Sequence, residues 1–263
     1  MRAAVIQLKA SDDKQKNIRQ ALTLTQKAIR KGAKFILLPE VFVFRGELKK
    51  EQIKGVAEKI PGDSLKPFIH LARSKKVFIL AGSIYERSES AGKVYNTSVL
   101  IDPRGKVAAK YRKINMFNAV IGRKRIRETD TFKAGQSLAT AKVGEFIIGL
   151  TICYDLRFSL LYKKYARKGV NVFCVPSAFT KQTGEAHWST LIRARAIENR
   201  AYVLAPNQYG KDSKGIVNYG HSMIVDPWGR VLAEASADKD QILLADIQLK
   251  KIKDIRKILP TFN

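Results

Sequence analysis

Cysteine is almost missing from this chain. Its 263 residues include two, Cys153 and Cys174, so no disulfide framework can hold the fold together. Histidine is as scarce: His70, His187 and His221 are scattered along the chain, which argues against a metal centre. Acidic residues are few, 23 against 49 lysines and arginines, leaving a formal net charge of +26. Long apolar runs are absent too. Crossing a bilayer takes ~20 apolar residues, and the longest stretches, such as 146–154, contain about nine. The N-terminal run 1–7 is too short in its apolar part for a signal peptide and reads as a strand. No Pro/Gly/Ser-rich linker and no fixed-period repeat divides the chain. What remains is 45% hydrophobic and 9% aromatic, an ordinary globular composition. The expectation is a soluble cytoplasmic protein forming one domain over 1–263, with no membrane contact.

Strand-like and helix-like stretches alternate from end to end. Residues 3–8 read as a strand. Ile18, Ala21, Leu22, Leu24, Ala28 and Ile29 fall near helical spacing over 17–31, with Gly32 as the stop. The continuous apolar run 35–38 suits a strand buried on both faces. Beyond it, 65–75 reads as a helix and 77–85 as a strand. Two further strands, 94–101 and 106–110, are joined by the turn Asp102-Pro103-Arg104-Gly105. The strand 145–152 precedes a helix over 156–168 and a strand over 170–175. A helix over 186–199 and a strand over 201–205 follow. The last third is richer in strands (220–225, 231–234, 242–247) and ends in a basic helix over 250–257. The pattern predicts an α/β fold with mixed strand pairing.

Three segments share one design: an apolar strand ends and a reactive side chain appears at once. Leu38-Pro39-Glu40 delivers a carboxylate, Tyr111-Arg112-Lys113 an amine, and Ile152-Cys153-Tyr154-Asp155 a thiol. Ligands of α/β folds sit at the carboxyl ends of strands. A cysteine at a helix N-terminus is expected to have a lowered pKa that favours thiolate. Singly, each residue has a plainer explanation: a solvated loop glutamate, one of many surface lysines, a core cysteine. Together they complement one another, because acyl transfer through a thiol needs a base and an oxyanion stabiliser. His187, beside Trp188, is the rival base in a Cys-His arrangement.

Leu38-Pro39-Glu40, Tyr111-Arg112-Lys113-Ile114-Asn115-Met116-Phe117 and Thr151-Ile152-Cys153-Tyr154-Asp155-Leu156-Arg157-Phe158 resemble, in order, the three signature segments of the nitrilase superfamily of carbon–nitrogen hydrolases. The resemblance implies a four-layer α-β-β-α sandwich and a catalytic set at Glu40, Lys113, Cys153 and Glu128. It implies no metal and no organic cofactor. It also implies a homodimer or larger homo-oligomer, joined through the helices beside the cysteine and the tail of about 248–263. Segments such as 175–188 and 220–229 look most like amidases that act on deaminated glutathione. An omega-amidase or an N-carbamoyl amine amidohydrolase is the alternative; a basic nucleic-acid-binding or non-catalytic interaction protein is a distant one. Asn115-Met116-Phe117-Asn118 departs from the family's usual His-Leu-Phe-Asp, which leaves the acyl and leaving groups open.

The implied reaction is amide hydrolysis through a Cys153 thioester, with Glu40 as base and acid, Lys113 and the Tyr154 N–H at the oxyanion, and Glu128 orienting Lys113 or water. The substrate is expected to be a small amide bearing a carboxylate. Arg157, four residues past the thiol, is the candidate cation for that carboxylate, with an ion pair to Asp155 or a neighbouring loop as its plainer role; the basic loop 123–127 is the fallback. Tyr154, Phe179 and Thr183 are candidate pocket residues. The basic residues are dispersed without interleaved aromatics, so no specific nucleic-acid partner is expected.

Overall fold

The alternation along the chain builds two sheets that pack face to face. The computed structural model describes residues 1–47, 53, 55–89, 92–122 and 124–260. Its first half contains β1 (Arg2–Gln7), β2 (Phe35–Leu37), β3 (Phe78–Leu80), β4 (Ile84–Arg87), β5 (Val94–Ile101) and β6 (Val107–Arg112), then the hairpin β7 (Asn118–Ile121) and β8 (Lys124–Arg127). Its second half contains β9 (Thr140–Val143), β10 (Phe146–Leu150), β11 (Val172–Cys174), β12 (Tyr202–Ala205), β13 (Tyr209–Lys211), β14 (Val217–Tyr219), β15 (Met223–Val225), β16 (Val231–Glu234) and β17 (Gln241–Asp246). Helices α1 (Lys14–Arg30) and α2 (Lys66–Lys75) belong to the first half. Helices α3 (Ser159–Arg167), α4 (Lys181–Asn199) and α5 (Leu249–Ile258) belong to the second.

One sheet runs β17-β1-β2-β3-β5-β4 with β6 added on β5; the other runs β16-β15-β12-β11-β10-β9. Strands β1, β2 and β3 are parallel, as are β10, β11 and β12. Strand parity sorts the apolar residues into layers, because neighbours on a strand point to opposite faces. Val5, Leu37 and Leu80 share a core with Ile148, Leu150 and Val172 of the second sheet. Their neighbours Ile6, Ile36 and Ile79 pack instead with Ile18 and Leu24 of α1 and Phe68 of α2. The second sheet packs its outer face on α3 and α4 through Tyr162, Tyr165, Trp188 and Ile192. The result is the expected four-layer α-β-β-α sandwich. Helix α1 shows how local chemistry sets an edge: the Asp13 carboxylate accepts from the Lys16 N–H at 2.9 Å, a cap that contributes ~1 kcal/mol.

Several boundaries differ from the sequence expectation, each for a tertiary reason. The run 77–85 is two strands, β3 and β4, broken at Gly82. There the chain passes against the loop carrying Glu40: a Cβ on Gly82 would lie 1.9 Å from the Pro39 carbonyl oxygen, and φ is +33°. The helix expected over 156–168 is a 3-10 turn, Cys153–Arg157, followed by α3. Helix α4 starts at Lys181 rather than 186 and runs through Gly184, whose missing side chain admits the Tyr219 ring. The strand expected from 220 starts at Met223, after His221 at φ +50°. His70 is exposed on α2. Among the described residues, no helix is long and apolar enough to cross a membrane.

Candidate active site

Carboxyl ends of strands from both sheets converge on one point. Glu40 follows β2, Lys113 follows β6, Cys153 follows β10 and Ala178 follows β11. The segment after β10 keeps pairing with the one after β11: the Thr151 N–H donates to the Cys174 carbonyl at 3.0 Å, and the Cys153 N–H to the Pro176 carbonyl at 3.0 Å. Cys153 then adopts φ +45°, in the left-handed region, a conformation costing on the order of 1 kcal/mol for a residue with a Cβ. That kink starts the 3-10 turn.

Asp155 ties this turn to the lysine segment. Its buried Oδ2 accepts from the Ile152 N–H at 2.9 Å and the Tyr111 hydroxyl at 2.8 Å. Its Oδ1 accepts from the Asn115 N–H at 3.0 Å and the Asn115 side-chain amide at 2.8 Å. One carboxylate therefore fixes the thiol's turn against the strand end that presents Lys113. Asp155 is thereby not an ion-pair partner of Arg157.

Lys113 is wholly buried between two carboxylates. Its Nζ donates to Glu40 Oε1 at 2.8 Å and to Glu128 Oε1 at 2.9 Å. Glu40 also accepts from the Asn96 amide at 2.8 Å on Oε1 and from the Ala178 N–H at 2.9 Å on Oε2. Glu128 has a further donor in the Phe117 N–H at 2.7 Å. The loop around Glu40 is pinned from behind, with the Gln208 side-chain amide donating to the Glu40 carbonyl at 2.7 Å and the Val41 N–H to the Ser83 hydroxyl at 2.9 Å.

This arrangement splits the two carboxyls. Burial pushes Glu40 up, but the Lys113 ammonium, its hydrogen bond and the Arg45 charge outweigh it, leaving Glu40 below the usual carboxylate range. Burial and the Glu40 charge leave Glu128 raised despite Lys113. Burial opposes the charge on Lys113, yet the two glutamates hold its pKa well above that of a free lysine. The thiol behaves opposite to the sequence expectation. Burial and the Glu40 charge push Cys153 well up, and Lys113 and the Ala178 N–H only partly offset them. A five-residue 3-10 turn beside two carboxylates does not stabilise thiolate as a helix N-terminus would. The resting group is a thiol hydrogen-bonded to Glu40.

The cluster opens on a cavity of about 400 Å³ lined also by Arg45, Phe117, Arg125, Arg127, Thr180 and Lys214. Of the residues expected from sequence, Glu40, Lys113, Cys153 and Glu128 come together here. Tyr154, Arg157, Phe179 and Thr183 gather with Cys153 at an adjoining, much smaller cleft that shares Phe117, Ala178 and Thr180 with the cavity. There Arg157 lies over the Tyr154 and Phe179 rings, 5.5 and 5.2 Å from their centroids, and 3.4 Å from His187 Nδ1. Phe179 is buried against Trp188, with centroids 5.1 Å apart, and the Thr183 hydroxyl is within 2.8 Å of that of Thr180. His187 is exposed on α4. Arg123 of the basic loop lies outside the described residues. Sequence reasoning missed Asn96, Ala178, Arg45, Lys214 and the bracing role of Asp155. Asn96 had a visible signal: it opens the polar run Asn96-Thr97-Ser98 inside β5, between apolar flanks.

The carbon–nitrogen hydrolase family profile matches residues 2–257. Omega-amidase NIT2 of Homo sapiens is 39% identical over 263 residues, covering 100% of this chain and 94% of that protein. The crystal structure of Saccharomyces cerevisiae Nit3, a member of branch 10 of the nitrilase superfamily, superposes with a TM-score of 0.88 at 31% identity, covering 100% of this chain and 95% of the yeast chain. An amidase from Nesterenkonia sp. AN1, solved as a glutamate-to-glutamine mutant after Michael addition of acrylamide at its active-site cysteine, superposes with a TM-score of 0.81 at 25% identity over 98% of both chains. These likenesses run the length of the fold, and the chain belongs to the carbon–nitrogen hydrolase family as an amidase of the nitrilase superfamily, acting on carbon–nitrogen bonds other than peptide bonds.

Proposed function

We propose that this amidase is an omega-amidase, cleaving the terminal amide of a small carboxylate-bearing 2-oxo acid through a thioester on Cys153. The observation that carries the reading is the buried Lys113 shared by Glu40 and Glu128 beside a neutral thiol, opening on a cavity with basic side chains on its wall. The similarity to omega-amidase NIT2 favours this substrate over deaminated glutathione, the first expectation from sequence.

In this scheme Glu40, ionised at rest, takes the Cys153 proton as the sulfur attacks the amide carbon. The oxyanion forms beside the Lys113 ammonium. The Cys153 N–H is already committed to the Pro176 carbonyl, so the backbone donor falls to the next residue, Tyr154. A donor of this kind contributes ~3 kcal/mol to transition-state stabilisation. Protonated Glu40 gives its proton to the departing nitrogen, ammonia leaves, and the acyl group stays on sulfur. Glu40 then takes a proton from water as the hydroxyl oxygen attacks the thioester. The acid departs, and the proton returns to the sulfur. Glu128 holds Lys113 in place throughout.

The test is a substrate panel of 2-oxoglutaramate, deaminated glutathione, a simple nitrile and an N-carbamoyl amine. The proposal expects the highest kcat/KM for 2-oxoglutaramate. A clear preference for deaminated glutathione would return the assignment to the first expectation, and turnover of the carbamoyl amine alone would reject both.

A further inference from the structure

Beyond the charge that Arg45 lends to Glu40, the proposed reaction gives no role to two cations on the cavity wall. Arg45 follows the apolar run 41–44 on the loop leaving Glu40, and only 12% of its side chain is exposed. Its Nη2 donates to Asp212 Oδ2 at 2.6 Å and to Asn218 Oδ1 at 3.4 Å. Its Nε is buried without a hydrogen-bond partner among the described residues. Asp212 also braces the turn between β13 and β14: its Oδ1 accepts from the N–H groups of Lys214 at 3.0 Å and Ile216 at 2.9 Å. One carboxylate thus positions both Arg45 and the loop that carries Lys214, and both cations line the cavity that holds Cys153.

Like charges side by side in a partly desolvated wall oppose each other. Burial and the Arg45 charge together pull Lys214 down to about 8, against the opposing pull of Asp212, Glu128 and Glu47. An anion entering beside them relieves that repulsion. The other cations near the thiol are poorer receivers. Arg125 and Arg127 are exposed, and Arg127 stands 3.5 Å from Asp130; solvated cations discriminate weakly. Arg157 borders the smaller cleft and is stacked on aromatic faces.

We infer that Arg45 and Lys214 form the carboxylate-receiving end of the acyl pocket and select linear amides whose far end is anionic. This rests on the proposed amidase reaction at Cys153, though not on which acid is physiological. Asp212 is the positioning residue that holds the pair.

Two measurements test it separately. In Cys153→Ala protein, calorimetric titration with glutarate reads the anion site without turnover. Adding Arg45→Met or Lys214→Met is expected to weaken glutarate binding by about tenfold or more, the scale of a lost charge-assisted contact. Lys214→Met lies on a half-exposed loop, and Arg45→Met paired with Asp212→Asn removes both members of the ion pair, so neither readout depends on leaving Asp212 unpaired. No glutarate binding in the parent, an affinity indifferent to these changes, or a loss caused by Arg157→Met instead would overturn the assignment. In the active protein, the same variants should raise KM for glutaramate at least tenfold more than for neutral pentanamide; equal losses would also overturn it. Should the wild type hydrolyse neither amide while glutarate binding follows Arg45 and Lys214, the proposed reaction at Cys153 fails for these acids and the anion site stands.

Discussion

Replacing Glu40 with glutamine should make Cys153 more reactive toward a simple alkylating agent while stopping amide hydrolysis. Glu40 has two separable effects on the thiol. In the proposed reaction it is the proton acceptor, and its charge, second only to burial, keeps the thiol protonated. At hydrogen-bond range, ~4 Å, two unit charges interact by about 4 kcal/mol at an effective dielectric near 20. Water in the cavity and the remaining Lys113–Glu128 pair absorb part of that, leaving about 2 kcal/mol, or roughly 30-fold more thiolate. A less basic thiolate is a weaker nucleophile with a Brønsted slope of ~0.4–0.5, which cancels about half of the gain on a logarithmic scale. Alkylation by chloroacetamide at pH 7.5 should therefore be about fivefold faster in Glu40→Gln. Amide turnover loses its acid and base and should fall by ~10²–10⁴. The assay is mass-spectrometric labelling of Cys153 against time, beside ammonia release from the amide. If Glu40→Gln slows labelling in step with turnover, Glu40 supplies the thiolate for both reactions and the charge argument is wrong.

Cys153→Ala should abolish turnover and Cys174→Ala should preserve it, since Cys174 is fully buried in β11; a thioester mass found on the Cys174 peptide would refute the assignment of the nucleophile. Glu86 is buried, but contacts with Arg112, Lys110 and Thr97 outweigh burial and hold its pKa at about 2, from 4.5. A depressed carboxyl stabilises the fold above the unfolded value and loses that contribution as pH falls from about 4.5 toward 2. Its basic partners are 44% and 36% exposed, so Glu86→Gln should cost ~1–2 kcal/mol and about 3–6 °C in Tm at pH 7, with the gap closing near pH 2–3; a constant gap would show that packing sets it. Lys214, facing Arg45, Asp212, Glu128 and Glu47, is charged below about 8 and neutral above; KM for glutaramate should rise through that pH and stay flat in Lys214→Arg, and identical profiles would remove Lys214 from the site. Leu160 on α3 is 70% exposed, and Leu160→Glu should convert the dimer implied by the family resemblance to monomer in light scattering; an unchanged mass excludes α3 from the seam.

The reactive residues were legible because each is announced locally. A run of apolar residues predicts a buried strand, and the first polar side chain after it emerges where the α/β architecture collects ligands. Lys113 comes after the polar Lys110 and Arg112 of β6 and was marked by the segment 111–117; Glu40 and Cys153 follow that rule. Their partners do not. Asn96 lies within β5, Ala178 contributes only its backbone N–H, and Arg45 meets Asp212 across 167 positions of sequence. Such contacts depend on sheet order, which periodicity leaves undetermined. The same holds for the break at Gly82, where the apolar pattern continues and only the approach of Pro39 bends the chain. The thiol shows the limit most clearly: position after a strand suggested a dipole that lowers its pKa, whereas the carboxylates brought beside it raise it.

That reversal makes chemical sense of the shared lysine. Lys113 lies at hydrogen-bond distance from both glutamates, so it cannot by itself decide which is the base. The other donors decide it. Glu40 also holds the Asn96 amide and the Ala178 N–H, and Arg45 adds its charge. Glu128 has the Phe117 N–H in addition to Lys113. Glu40 is therefore the more readily ionised of the two carboxylates and is hydrogen-bonded to the thiol. In the proposed reaction, taking the thiol proton neutralises Glu40, and Lys113 loses one of its two counter-charges. At that moment negative charge passes from sulfur to the substrate oxygen, and the ammonium has become free to meet it. A thiol already ionised at rest would have kept Lys113 engaged before substrate arrived. Holding Cys153 neutral thus couples proton transfer to oxyanion stabilisation in one step, with Glu128 left to keep the lysine in place.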